Sequence, residues 1–127
     1  MARILLIEGE PHVRKLMKEI LEEEGHEIIE CDNGTDGVRE YKRAAIDLVV
    51  LDVLLPDKDG LDTLRELKQH HDDVKVMAIS GGFVQGAIDM LPLAKRLGAR
   101  HTLDKPFDLK MFLSAVKQLL DDSQPSP

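Results

Sequence analysis

The sequence predicts an α/β fold, a five-stranded parallel sheet covered by helices on both faces. Three observations carry that expectation. Short apolar runs alternate, five times over, with segments whose apolar residues recur at helical spacing. The central runs are continuously apolar rather than alternating, which suits strands buried on both faces of a parallel sheet. The connections are short, so the crossovers are right-handed and distribute the helices over both faces.

The elements follow in order. Ile4-Leu5-Leu6-Ile7 reads as a first buried strand. Val13, Leu16, Met17, Ile20 and Leu21 mark one face of a helix that stops at Gly25. Glu27 to Glu30 is a second strand, and Thr35 to Ala44 a second helix after the Asn33-Gly34 turn. The third strand, Ile46 to Leu51, ends at a carboxylate, Asp52, and a Pro/Asp/Gly turn precedes a helix marked by Leu61, Leu64 and Leu67. Val74 to Ile79 is a fourth strand, closed by Ser80-Gly81-Gly82, and a looser segment enters a fourth helix that ends at Leu97-Gly98. Arg100 to Leu103 is a short fifth strand. Leu109, Phe112, Leu113, Val116 and Leu120 form the apolar face of the last helix. No internal repeat occurs, and the acidic, Pro/Ser-rich residues 122–127 read as a disordered tail or the start of a linker.

Composition narrows the class. The chain has 127 residues, 43% of them hydrophobic and 32% charged, enough for one domain with a real core and too few for two. A net charge of −7 argues against direct binding to nucleic acid or to an anionic membrane, both of which call for basic patches. The single cysteine, Cys31, forms no internal disulfide and fits a reducing cytoplasm, where it reads as a small buried hydrophobe. No apolar run approaches the ~20 residues of a membrane span, and the N-terminus lacks the pattern of a signal peptide.

Chemistry gathers at the carboxyl ends of the strands, where open α/β sheets place their working groups. Strand one ends at Glu8, strand three at Asp52 and strand four at Ser80, and strand five runs into Lys105-Pro106-Phe107. A strand-end Asp or Ser taken alone is most often a turn or cap residue. The four together, in this order, resemble the receiver domain of two-component response regulators, with its CheY-like, flavodoxin-like (βα)5 fold, over residues 3–121. The motifs that carry the resemblance are LVVLDVLLPDKDG around Asp52, AISGG at Ser80 and LGARHTLDKPF around Lys105.

The resemblance implies a phosphorylation switch. Asp52 would accept a phosphoryl group from a phosphohistidine on a sensor histidine kinase or phosphotransfer protein, as carboxylates do in other covalent intermediates. Lys105 would pair with a phosphoryl oxygen and Ser80 would hydrogen-bond another. Mg²⁺ would be held by Glu8, Asp52 and the backbone carbonyl of Leu54. The family usually holds the peptide bond matching Lys105-Pro106 cis. Such a protein is a signalling receiver that catalyses only its own phosphorylation, and its output is binding to a downstream protein target. With no output domain after residue 121, the expectation is a stand-alone regulator.

Two departures from the family pattern matter. Where the family has two adjacent acids after strand one, this chain has Glu8-Gly9, so Mg²⁺ binding should be weakened. That points to an alternative, a phosphorylation-independent pseudo-receiver acting as an interaction module. Thr102 stands where many receivers carry an aromatic lever, which shifts the expected output path to residues 81–91, containing Phe83, Ile88, Met90 and Leu91, with Pro92 next at a helix start.

Other signals are weaker. His70-His71-Asp72-Asp73 reads as a solvated helix exit rather than a metal cluster, and His12, His26 and His101 lack ligand spacing. Phe107 reads as packing under the last helix. Neither GxGxxG after strand one nor GxxxxGK[ST] occurs, which removes dinucleotide and P-loop readings. Asp52-Val53-Leu54 lacks the second acid of a haloacid-dehalogenase-type phosphatase loop.

Overall fold

The computed structural model describes residues 2–55, 60–80, 90–105 and 107–121. Five parallel strands, β1 (Arg3–Ile7), β2 (Glu27–Cys31), β3 (Leu48–Asp52), β4 (Val76–Ser80) and β5 (His101–Asp104), form one sheet in the order β2-β1-β3-β4-β5. Helices α1 (Pro11–Glu23), α2 (Gly34–Arg43), α3 (Gly60–His70), α4 (Leu91–Arg96) and α5 (Leu109–Asp121) alternate with them.

Alternation along the strands sorts the core into two layers. Leu5, Ile7, Val49, Leu51, Val76 and Ala78 face Val38 of α2, Leu61, Leu64 and Leu67 of α3, and Leu91 and Ala94 of α4. Ile4, Leu6, Leu48, Val50, Met77 and Ile79 face Met17 and Leu21 of α1 and Phe112, Ala115, Val116 and Leu119 of α5. Because both sheet faces are covered, the central strands can be apolar throughout, and every residue of β3 and β4 is buried.

Local chemistry fixes the element ends. Pro11 opens α1 at a position where its missing N–H costs nothing. The Asn33 side chain caps α2 by accepting the Asp36 N–H at 2.8 Å. Gly25 and Gly98 follow α1 and α4 with φ of 89° and 112°, a region that L side chains rarely adopt.

Several boundaries differ from the sequence reading. β3 starts at Leu48 rather than Ile46, because the Asp47 carboxylate turns back to accept the Arg3 N–H at 2.8 Å. It also runs through Asp52, which pairs with Ile79 of β4 and is therefore part of the sheet. β4 starts at Val76, since the Val74 N–H closes a turn onto the His71 carbonyl at 3.1 Å. β5 is displaced by one residue, to His101–Asp104. Phe107 stacks on Phe112 of α5 with ring centroids 5.2 Å apart, and Cys31 is buried at the end of β2, where burial and the charges of Glu40, Asp36 and Asp32 push its thiol up to about 11. His71, Asp72 and Asp73 are exposed after α3. Met90 and Leu91 pack on the core as apolar residues of the α4 entry. The Pro56–Asp59 turn residues, Gly81, Gly82, Phe83 and Ile88, the Lys105-Pro106 bond and the 122–127 tail lie outside the described residues.

Candidate functional site

The chain runs from β1 out to β2 on one side and returns to β3 on the other, so a crevice opens between the carboxyl ends of β1 and β3. Glu8 follows the last residue of β1 and Asp52 is the last residue of β3. The structure brings both carboxylates to that crevice, nearly enclosed at 1% and 5% exposure. Ser80 ends β4 and is 9% exposed. Its carbonyl accepts the Lys105 N–H at 2.9 Å, extending the β4–β5 ladder by one bond and carrying the lysine back across the sheet edge.

The Lys105 side chain, 13% exposed, reaches both acids. Its Nζ donates to Glu8 Oε2 at 2.8 Å and lies 3.5 Å from Asp52 Oδ2. The remaining carboxylate oxygens are held by backbone: Glu8 Oε1 accepts the Glu10 N–H at 3.2 Å, and Asp52 Oδ1 accepts the Leu54 N–H at 2.9 Å. Among the described residues no buried side-chain nitrogen or oxygen lacks a partner.

Two acids share one base here, and Asp52 registers the imbalance. Burial first and then the negative charge of Glu8 raise its carboxyl from 3.8 to about 7, against the Leu54 N–H and Lys105, which favour ionisation. A carboxylate held in this way is poorly solvated and faces an ammonium, a setting suited to attack on an anionic group whose charge the lysine can compensate.

The donor set also bears on a metal. Two carboxylates and backbone oxygen suit a hard, oxygen-seeking divalent cation. Position 9 contributes no side chain, and among the described residues no three His, Cys, Asp or Glu side chains converge into a metal-holding group. Glu8, Asp52 and Leu54 fit Mg²⁺ as a reduced set, with Lys105 occupying the same Glu8 carboxylate in this structure.

Three features escaped the sequence reading. The Glu8–Lys105 ion pair joins residues 97 apart in the chain. Gly60, read as turn punctuation, is a close approach: a Cβ there would fall on the Cα and carbonyl of Val53, whose carbonyl accepts the Gly60 N–H at 3.1 Å. Arg14 donates to the Glu8 carbonyl at 2.9 Å, a contact that no spacing rule announces. A cavity of about 770 Å³ lies at the opposite edge of the sheet, against Ala2, His26, Tyr41, Lys75 and Leu120. It has no part in this chemistry.

Comparison with known proteins agrees with the geometry. Residues 4–117 match the model of the response regulator receiver domain family. The chain is 32% identical over 120 residues to the chemotaxis protein CheY of Bacillus subtilis, covering 94% of this chain and 98% of that protein. Among solved structures, response regulator protein TrrA from Thermotoga maritima, in complex with Mg²⁺ and BeF, superposes with a TM-score of 0.80 at 32% identity, covering 94% of this chain and all of that one. NtrX from Brucella abortus, in complex with ADP, gives a TM-score of 0.85 at 32% identity, with 94% of this chain spanning 27% of that longer chain. The chain thus belongs to the response regulator receiver domain family of two-component signalling proteins.

Proposed function

We propose that this receiver domain, assigned to residues 3–121, is a phosphoacceptor: Asp52 takes a phosphoryl group from a phosphohistidine and the modified domain changes its binding to a partner protein. The observation that carries this reading is the buried Asp52 carboxylate with its Oδ2 facing the Lys105 ammonium at 3.5 Å. Oδ1 is tied to the Leu54 N–H, which leaves Oδ2 as the nucleophile. Its lone pair forms the new O–P bond as the P–N bond of the phosphohistidine breaks, and the histidine nitrogen keeps the bonding pair. Phosphoryl transfer of this kind asks a protein mainly for positioning and charge neutralisation. Lys105 supplies a point charge, and Ser80, joined to the Lys105 backbone, supplies a hydroxyl to a second phosphoryl oxygen. Glu8, Asp52 and the Leu54 carbonyl are the groups to hold Mg²⁺, which when bound neutralises phosphoryl charge.

The phosphodonor in this reading is a sensor histidine kinase or a phosphotransfer protein, and the output is a downstream protein target rather than nucleic acid or membrane. A cytoplasmic location goes with it; no helix among the described residues is long and apolar enough to cross a membrane. The switch works in the same way whether the chain acts alone or as part of a longer protein. Thr102, paired with Ala78, is too small to act as an aromatic lever, which favours output through the segment between β4 and α4.

Intact mass after exposure to acetyl phosphate or phosphoramidate with millimolar Mg²⁺ tests the reading. We expect a gain of one phosphoryl group that Asp52→Asn abolishes; a folded parent protein that gains no mass refutes it. Gly9 favours a second reading, a pseudo-receiver that binds partners without phosphorylation. Among the described glycines only Gly25 and Gly98 have positive φ, so position 9 accepts an L side chain without backbone strain. Gly9→Asp should therefore tighten Mg²⁺ binding about tenfold, or ~1.4 kcal/mol, a fraction of the ~4 kcal/mol that a charge at about 4 Å is worth at an effective dielectric near 20. A pseudo-receiver would stay unphosphorylated at saturating Mg²⁺ even in that variant.

A further inference from the structure

We propose that Arg14 is a positioning residue for the acidic crevice, holding the Glu8–Gly9 backbone so that the Glu8 carboxylate stays beside Asp52. This inference rests on the phosphoacceptor reading above and names the residue that keeps its metal-side acid in place.

The geometry is that of a clamp on a chain that has just left the sheet. The Glu8 N–H still donates to the Cys31 carbonyl of β2 at 3.0 Å. β2 ends at Cys31, and the Glu8 carbonyl is taken up by the Arg14 guanidinium, Nη1 to O, at 2.9 Å. The same guanidinium is anchored from the other side, its Nε to Glu30 Oε1 at 3.3 Å, and Glu30 is shared with Lys18 Nζ at 2.7 Å. Glu30 is itself fixed by its strand register opposite Leu6. Arg14 sits in the first turn of α1, with its backbone N–H bonded to the Glu10 carbonyl at 2.9 Å. One planar, always-charged fork therefore ties the start of α1 and the edge strand to the peptide that follows Glu8. A pocket with acids at both positions 8 and 9 could tolerate a small shift of one of them. With glycine at 9, no acid at that position can offset a shift of Glu8, which shares the Lys105 ammonium with Asp52.

Outer-shell partners of metal ligands typically change metal affinity by about 10–100-fold when removed. Mg²⁺ titration of the parent, Arg14→Ala, Arg14→Lys and a stability control in the α5 core, Leu119→Ala, tests the proposal. Hydrogen exchange of the Glu10 N–H, which reports the position of Glu8 Oε1, is measured on the same four proteins without metal. We expect about tenfold or greater weakening of Mg²⁺ binding in Arg14→Ala, partial recovery in Arg14→Lys, which can reach only one acceptor at a time, and none of this in Leu119→Ala. Glu10 exchange should accelerate in Arg14→Ala beyond the control. A parent that binds Mg²⁺ with an Arg14→Ala variant matching Leu119→Ala in both measurements overturns the inference and leaves the phosphoacceptor reading standing. A parent that binds no Mg²⁺ counts against the metal-dependent reading, and Glu10 exchange then decides on Arg14 by itself.

Discussion

Replacing Asp52 by Asn should stabilise the protein at alkaline pH and do so progressively less as the pH falls. The Asp52 carboxyl is raised from 3.8 to about 7, chiefly by burial and then by the charge of Glu8. A folded-state value above the unfolded one means that the native protein binds the proton more tightly. The contribution of this group to stability is therefore present in full below pH ~3.8 and is lost as the pH rises through about 7. A displacement of that size is about a thousandfold in proton affinity, or a ceiling of about 4 kcal/mol at ~1.4 kcal/mol per tenfold. Roughly 2–3 kcal/mol of it develops between pH 5 and pH 8, by the same linkage. Asn keeps an oxygen for the Leu54 N–H, held at 2.9 Å by Oδ1, and carries no charge to be buried. Lys105 loses its 3.5 Å neighbour but retains the closer pair with Glu8 at 2.8 Å. Urea unfolding of parent and variant at pH 5 and pH 8 reads the effect as a stability difference that grows by up to about 2–3 kcal/mol in favour of Asn at the higher pH. A difference that is flat with pH, or that favours Asp at pH 8, would show that the Asp52 carboxylate is well compensated in the native state and that the burial argument is wrong.

Two further substitutions probe the same crevice. Lys105→Met leaves Glu8 and Asp52 buried without their counter-charge and should cost about 3 kcal/mol at pH 8, less at pH 5 where Asp52 holds its proton, in the same unfolding assay; equal losses at the two pH values would point to lost packing instead. Gly60→Ala puts a methyl group onto the backbone of Val53, next to Asp52, and should cost about 2–3 kcal/mol by overpacking while slowing phosphoryl uptake in the mass assay; an unperturbed variant would mean that the start of α3 can move aside freely.

Much of the fold was legible because each element carried its own local signal. Continuous Leu/Val/Ile runs at residues 4–7 and 48–51 can be buried on both faces only in a covered parallel sheet, and glycines 25 and 98 mark helix ends through a backbone conformation that other residues avoid. The errors fall where side chains compete with the ladder. Asp47 looked like a strand residue, and its carboxylate instead caps the Arg3 N–H, delaying β3 by two residues. The convergence of Glu8, Asp52 and Lys105 followed from their shared address at strand ends. Which of the two acids the lysine would choose did not, since that depends on side-chain reach across a sheet edge between residues 97 apart. Arg14 was invisible for a similar reason. A basic residue in the first turn of an amphipathic helix is ordinarily solvated, and it is the end of β2 at Cys31 that leaves the Glu8 carbonyl for Arg14 to hold.

The preference of Lys105 for Glu8 sets a condition on how the site can be used. In the proposed switch, phosphorylation would replace one negative charge on Asp52 by about two on the phosphoryl group and draw Lys105, which starts 3.5 Å from Oδ2, away from Glu8 toward them. Its departure would strand Glu8, which is 1% exposed, and an uncompensated buried charge costs several kcal/mol. Whatever draws Lys105 to the phosphoryl group must therefore leave Glu8 with a proton or another cation. Gly9 acts on this balance in two opposing ways. A second loop acid would strengthen the attraction for a divalent cation, but it would also place three carboxylates around one ammonium in the resting protein. With glycine there, two acids face one lysine, a smaller excess of negative charge, so the resting crevice is more stable than with a third acid and its demand for a cation is weaker. On the proposed reading, glycine at position 9 therefore favours the unmodified state, and a phosphorylated state would have to recover that difference through new contacts made by Lys105 and Ser80.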